Sequence, residues 1–268
     1  MRVAPQVVRR SCLVLLLALW ELVPRLGLLP ELFLPSLTKT LTVLAGNWQE
    51  YGHALMVTLY EVALAMVIAC GPGILVGALL GGFSLLRQLL LPVLSSLYAI
   101  PIVILYPIFT AWLGVGSESK IAFAGVYGFF PVMLSTAAGI QSIDQNFLLA
   151  ARSMGASVPQ QITRVVIPAS IPTVLAGLRL GGALAIVGVV VSEMLTAAAG
   201  IGYLVSKYRT VLDSPRVFAG ILMILLLSVL FDLAARWVER VTLVWQTAGR
   251  RARGRADPRA MATAPAAA

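Results

Sequence analysis

Runs of about twenty mostly apolar residues recur along this 268-residue chain, and they constrain its fold more than any other feature. A helix of about that length crosses the ~30 Å hydrocarbon core of a bilayer. Inside lipid every backbone N–H and C=O needs a protein partner, which leaves helices and closed barrels as the spanning structures. The runs are long, continuous and flanked by Gly and Pro, unlike the alternating strands of roughly ten residues that build a barrel. Charged residues make up only 12% of the chain, about half the quarter found in soluble domains. The sequence therefore predicts an all-α, polytopic membrane helix bundle.

Six spans are expected, at about 10–29, 54–82, 88–113, 119–141, 169–197 and 215–238, within a membrane domain covering 10–241. Arg2, Arg9 and Arg10 followed by SCLVLLLALW resemble a signal peptide, but no small-x-small cleavage site follows. An uncleaved first span behind a short terminus, 1–9, is the better reading. Residues 30–52 are amphipathic and bounded by prolines, and belong outside the bilayer. The tail, 242–268, is rich in Arg, Ala and Pro without apolar periodicity, and reads as disordered. With the N-terminus inside, 14 of the 20 basic residues fall on the cytoplasmic side and 6 outside, as expected if cytoplasmic loops hold the excess of Lys and Arg. The net charge of +9 then needs no nucleic acid to explain it. Cys12 and Cys70 sit in apolar runs and suggest no disulfide. His53 has no ligand-type neighbours, so no metal site is expected.

One passage is too polar to cross a bilayer. The loop 142–168 ends in LLAARSMGASVPQQITRVVIP, and its signals describe two short helices. Phe147 to Met154 form the first, stopped by Gly155, the residue best suited to a left-handed helix end. Ser157 offers an N-cap and Gln160 completes a capping box, with Pro159 tolerated in the first turn. Val158, Ile162, Val165 and Val166 then share a covered side and Gln160, Gln161 and Arg164 an open one. Pro168 is expected to close the helix at the membrane. Such an element could rest on lipid headgroups or act as a rigid knob docking into a groove on a partner.

The same passage resembles the EAA-loop of permease subunits of bacterial ABC importers: E-A-A, three residues, Gly, nine residues, I-x-L-P. Ala150 and Ala151 match the alanines, Gly155 stands at the required spacing, and Val165, Ile167 and Pro168 occupy the I, L and P positions. Leu149 replaces the glutamate. Further blocks, among them LPSLTKTL, PIVILYPIFTAWLGVGSESKIAFA and AGLRLGGALAIVGVVVSEMLTAAAGIGYLVS, are similar to the nitrate, sulfonate and taurine type of these permeases, over about residues 30–235. The resemblance implies a multi-pass subunit of the bacterial inner (plasma) membrane with both termini cytoplasmic, paired with a second permease copy, most simply as a homodimer. It also implies a cytoplasmic ABC ATPase dimer and a periplasmic or lipid-anchored solute-binding protein. The loop 142–168, through Ala150, Ala151, Arg152, Gly155, Ala156 and Pro168, would couple the spans to the ATPases. The cargo implied is a small anion such as a sulfonate, taurine or nitrate, or alternatively a thiamine-precursor pyrimidine or other small heterocycle.

The residues add one independent point. No G-x-x-x-x-G-K-S/T phosphate loop is present, and none of Lys39, Lys120 and Lys207 follows a glycine. The chain binds no cofactor by that route, so ATP and Mg would be used by the partner. An ion-driven secondary transporter is the alternative of another class, separated by whether uptake depends on a separate ATPase; an intramembrane enzyme lacks an acid pair or a motif-borne serine. Gly73, Gly77 and Gly81, and Gly177 and Gly181, repeat every four residues and invite close helix packing. Pro101 and Pro107 should bend the third span. Charges inside spans are functional candidates by default. Glu193 is the foremost for the translocation path, or else a partner for a hydroxyl or basic group. Arg179 can snorkel outward as an anchor, Pro107 is a further path candidate, and Glu61 and Asp232 read as helix-end charges.

Overall fold

The computed structural model describes residues 5–196 and 198–256, with the backbone alone for 5, 6, 9 and 243–256. The start of the N-terminus, 1–4, and the end of the basic tail, 257–268, lie outside the described residues, as does Ala197 at the close of the expected fifth span. All regular structure among the described residues is helical. In chain order the helices are α1 (Pro5–Arg25), α2 (Leu37–Gly46), α3 (Trp48–Gly82), α4 (Ser84–Ala99), α5 (Tyr106–Leu113), α6 (Ser117–Gln141), α7 (Gln145–Ser153), α8 (Val158–Gln161), α9 (Ile167–Thr196), α10 (Ile201–Thr210) and α11 (Ser214–Ala256).

The core is α6 held between α3 and α9, and the glycine repeats are the reason. A Cβ on Gly77 would lie 2.5 Å from the carbonyl oxygen of Met133, and one on Gly81 2.8 Å from Ile140 Cβ. On the other side of α6, a Cβ on Gly177 would lie 2.4 Å from Ser135 Cβ, and one on Gly181 2.4 Å from Val132 Cγ2. Without side chains at these points the backbones approach closely enough for dispersion to hold them in lipid, where apolar burial drives little. Phe123, Val132, Met133, Ala185 and Val189 fill the remaining interior and are almost wholly buried.

Four described helices are long and apolar enough to span a membrane, beginning at Trp48, Ser117, Val158 and Ser214. A fifth crossing forms if α4 and the stretch Ile102–Leu113, which meet at 86°, count as one broken span. The break falls at Ile100–Pro101, as the proline predicts. Pro107 lies in the first turn of α5, where no amide hydrogen is missed. The expected first span corresponds to α1, but Arg10, Glu21 and Arg25 leave Ser11–Trp20 as its longest uncharged run.

The helix after the polar loop corrects the sequence reading. Pro168 does not close it: Val158–Thr196 runs on as one helix of 39 residues. Pro168 has no N–H, and its ring would press on the carbonyl four residues back, that of Arg164. The chain widens instead into a π-turn over Ile162–Val166, where the Ile167 N–H donates to the Ile162 carbonyl.

Candidate functional site

The polar loop folds into a braced corner at one end of the bundle. Asp144 caps α7 by accepting from the Asn146 N–H at 2.9 Å. The helix ends at Gly155, whose φ of +77° places it in the left-handed region. Its N–H donates to Arg152 O at 2.9 Å, and the Ala156 N–H donates to Ala151 O at 3.0 Å, the paired bonds of a glycine-terminated helix. The next helix opens with the capping box read from the sequence, the Ser157 N–H donating to Gln160 Oε1 at 2.9 Å.

Gln161 ties the corner together. Its Nε2 donates to Ala156 O at 2.8 Å, and its Oε1 accepts from Arg152 Nε at 3.3 Å. The sequence expectation holds only in part: Gln160 and Arg164 are exposed and Val165 and Val166 half-buried as read, but Gln161 is buried, whereas Val158 and Ile162 are exposed. The turn's carbonyl needs a donor that only the amide supplies, so the glutamine goes inward and the valine out. Of the loop residues singled out from sequence, Ala151 is buried, Ala156 and Pro168 are half-buried, and Ala150, Arg152 and Gly155 are exposed. Around them Phe147, Leu149, Met154, Val158 and Ile162 form an open apolar rim, Met154 being 82% exposed. The glutamate of the EAA pattern is thus replaced by an exposed apolar side chain, Leu149.

A second polar constellation lies inside the bundle near the opposite end of α9. Glu193 is 1% exposed. It accepts from the Thr58 hydroxyl and from the Gly202 N–H, both at 2.7 Å, while the Ile201 N–H donates to the Thr58 oxygen at 3.0 Å. The carboxylate and its hydroxyl partner thereby take up the first amides of α10, where an anion is favoured by the helix dipole. Gly200 makes room for it: φ is +106°, and a Cβ there would lie 2.0 Å from Glu193 Oε1. The hydroxyl partner expected as one reading of Glu193 is Thr58.

Glu61 is not a helix-end charge. It is fully buried, ion-paired with Lys120, and accepts from Ser117 Oγ at 2.7 Å. Its other oxygen has no hydrogen-bond partner among the described residues. Lys120 is only 5% exposed and lies within α6. Arg179 bridges α9 to α11, its Nε donating to Asp232 Oδ1 at 2.7 Å, and Asp232 also accepts from Arg236 at 2.7 Å. So Asp232 too is a cross-link and not a lone terminal charge. The structure does not gather the three path candidates: Glu193 and Arg179 sit far apart on α9, and Pro107 is exposed on α5. Thr58, Ser117 and Lys120 were not picked out from sequence, although a lysine inside an expected span does call for an acid partner.

Residues 73–243 match the family model described as binding-protein-dependent transport system inner membrane component. The chain is 33% identical over 235 residues to the putative aliphatic sulfonates transport permease protein SsuC of Bacillus subtilis (strain 168), covering 86% of this chain and 84% of that one. It is 32% identical over 244 residues to the taurine transport system permease protein TauC of Escherichia coli (strain K12), with 87% of each covered. Its fold is similar to a chain in an inward-facing structure of the MetNI methionine ABC transporter, with a TM-score of 0.64, 17% identity, and coverage of 73% of this chain and 97% of that chain.

Proposed function

Since this chain belongs to the family of binding-protein-dependent transport system inner membrane components, we propose that it forms the solute path of an ATP-driven importer, paired with a second permease copy. The observation that carries this reading is the braced corner of α7 and α8, with its open apolar rim of Phe147, Leu149, Met154, Val158 and Ile162. A corner fixed by a capping box, a glycine stop and the Arg152–Gln161 clamp keeps its shape under load. Exposed apolar side chains on it need a partner surface. The partner is a cytoplasmic ATPase using ATP and Mg, since the chain has no phosphate loop of its own. The corner then faces the cytoplasm, as do both termini, in a bacterial inner membrane.

In this reading Ala151 packs the corner from within, Arg152 clamps it, and Gly155 with Ala156 forms its turn. Pro168 converts the helix to the π-turn that joins the corner to α9. Glu193 and Arg179 hold the walls of the path together rather than line it, and Pro107 keeps an open place beside the broken span. A solute-binding protein delivers the cargo from outside. The cargo is a small anion of the sulfonate, taurine or nitrate kind, for which the likeness to SsuC and TauC is the support; a small heterocycle such as a pyrimidine is the alternative.

The test is hydrolysis in proteoliposomes containing the chain, its ATPase and the binding protein. Loaded binding protein should raise ATPase turnover in the wild type. Gly155→Pro should abolish the rise while the complex still co-purifies, because proline cannot adopt φ +77°. Uptake driven by an ion gradient with no ATPase bound would overturn the reading.

A further inference from the structure

Between α9 and α11 lies a groove of about 520 Å³, inside the ~300–1,000 Å³ range of ligand sites. Leu180, Ala183 and Val187 of α9 and Phe231 of α11 wall it, and Arg179, Asp232 and Glu239 sit on its rim. Phe231 seats on Gly182, where a Cβ would lie 2.2 Å from the ring, so the floor is closed. Leu180 and Val187 are 51% and 45% exposed, so the side is open.

The charged rim has a definite depth. At 1.5 Å per residue, Arg179 lies about 26 Å along α9 from Thr196, and Asp232 about 27 Å along α11 from Ser214. With those helix ends at one face of a ~30 Å core, the charges reach the other interface. Trp237, 67% exposed on α11, stands where indoles mark a headgroup layer. On the permease reading this is the cytoplasmic leaflet; the site itself does not depend on that reading.

The rim also has unused capacity. Arg179 commits both its Nε and its NH2 to Asp232, whereas its NH1 stands 4.0 Å from Glu239 Oε2, an ion pair beyond hydrogen-bond distance. Among the described residues neither this NH1 nor the Glu239 carboxylate has a hydrogen-bond partner. A donor and an acceptor paired only loosely, across 4.0 Å, therefore stand side by side above an apolar slot. Arg179 and Arg236 balance Asp232 and Glu239, so the rim favours neither a pure anion nor a pure cation.

We propose that this groove holds one acyl chain of a zwitterionic aminophospholipid, with its phosphate on Arg179 and its primary ammonium on Glu239. A transported anion fits less well, because the one further donor on the walls, the Ser228 hydroxyl, is committed to the Ile224 carbonyl at 2.9 Å. A lipid meets both halves of the site: an apolar tail for the slot and paired opposite charges for the rim. The bound headgroup would brace the α9–α11 bridge at the depth where α9 leaves the membrane.

The test is native mass spectrometry of the purified chain, made whether or not an ATPase co-purifies, from equimolar phosphatidylethanolamine, phosphatidylcholine and phosphatidylglycerol with matched chains. Wild type should retain phosphatidylethanolamine at least fivefold over the other two. Glu239→Gln, at a half-exposed position, should level ethanolamine with choline while retaining lipid. Ala183→Phe, filling the slot, should abolish retention. Equal retention of all three lipids by the wild type would overturn the proposal, as would retention unmoved by Ala183→Phe. Disulfide cross-linking of two copies through Ala183→Cys would also overturn it, because a second copy would then cover the groove. Failure of these measurements leaves the importer reading standing, which is decided separately by ATPase dependence.

Discussion

Replacing Lys120 with methionine tests whether the Glu61–Lys120 pair is sealed from water as the structure places it. The side chains are 6% and 0% exposed, so removing the ammonium leaves a carboxylate with one remaining partner, the Ser117 hydroxyl. Breaking a buried pair on one side costs about 3–5 kcal/mol, whereas replacing both charges by groups of similar volume is often close to neutral. Lys120→Met alone and Glu61→Gln alone should therefore each lose about 3–5 kcal/mol, and the double variant only about 0–2 kcal/mol. Additive behaviour would give a double-variant loss of about 6–10 kcal/mol. The measurement is reversible unfolding of the purified chain in mixed micelles with increasing dodecyl sulfate, followed by helical circular dichroism. A double variant as damaged as the sum of the singles would refute the reasoning. So would a Lys120→Met loss below about 1 kcal/mol, the size expected of a solvated pair.

Packing between α3 and α6 predicts a contrast of two glycines on one helix. Gly77→Ala forces a Cβ to 2.5 Å from the Met133 carbonyl and should lower the unfolding midpoint by an overpacking cost of about 1–3 kcal/mol or more. Gly52→Ala meets only the Trp48 ring at 3.8 Å and should gain about 0.5–1 kcal/mol from helix propensity. Glu193→Ala leaves the Gly202 N–H without its acceptor, while the Thr58 hydroxyl can still donate to Ala54 O at 3.1 Å, so the expected loss is about 1–3 kcal/mol, for the one orphaned amide. Glu193→Gln should lose less, and faster hydrogen exchange at Ile201 and Gly202 is the local readout of both. Ser157→Ala removes half of the capping box and should cost about 1 kcal/mol, seen as protease cutting between α7 and α8 at lower protease concentration than in the wild type.

Much of this fold is legible because lipid makes few structures available. Apolar length sets the long helices, the glycine repeats identify the faces that meet on α6, and Pro101 marks the break after α4. The corner was legible for a different reason: Gly155, Ser157 and Gln160 act within one turn of chain, where sequence spacing fixes geometry. What did not read out depends on contacts distant in sequence. Glu61 and Ser117 are 56 residues apart and Thr58 and Glu193 are 135 apart, so no local pattern joins them. The orientation of Gln161 failed in another way. Amphipathic spacing ranks side chains by polarity, but the bare Ala156 carbonyl selected for a donor, and that carbonyl is bare only because Gly155 turns the chain. Pro168 was misread because a proline in isolation ends a helix, whereas one met by five residues of π-turn lets it continue.

That continuation decides how the corner can work. Were α8 and α9 separate helices hinged at Pro168, a push on the corner would be absorbed at the hinge. The π-turn makes Val158–Thr196 one helix of 39 residues, about 58 Å long at 1.5 Å per residue. If the corner couples to an ATPase as proposed, displacement at Val158 is expected to run along the rod, first to the Arg179 bridge on α11 and finally to Glu193, which holds the first amides of α10. The Glu193 carboxylate accepts from both α3, through Thr58, and α10, through Gly202. A tilt of α9 that keeps those bonds must carry α10 with it, and a tilt that breaks them must leave a carboxylate without donors in the interior. Keeping them costs less, so the parts coupled by Glu193 move as one body and the flexible element must lie elsewhere. The 86° break between α4 and the stretch Ile102–Leu113 is where the bundle has no continuous rod. On the importer reading proposed above, the cycle's change of shape is expected there, on the exposed side that carries Pro101 and Pro107.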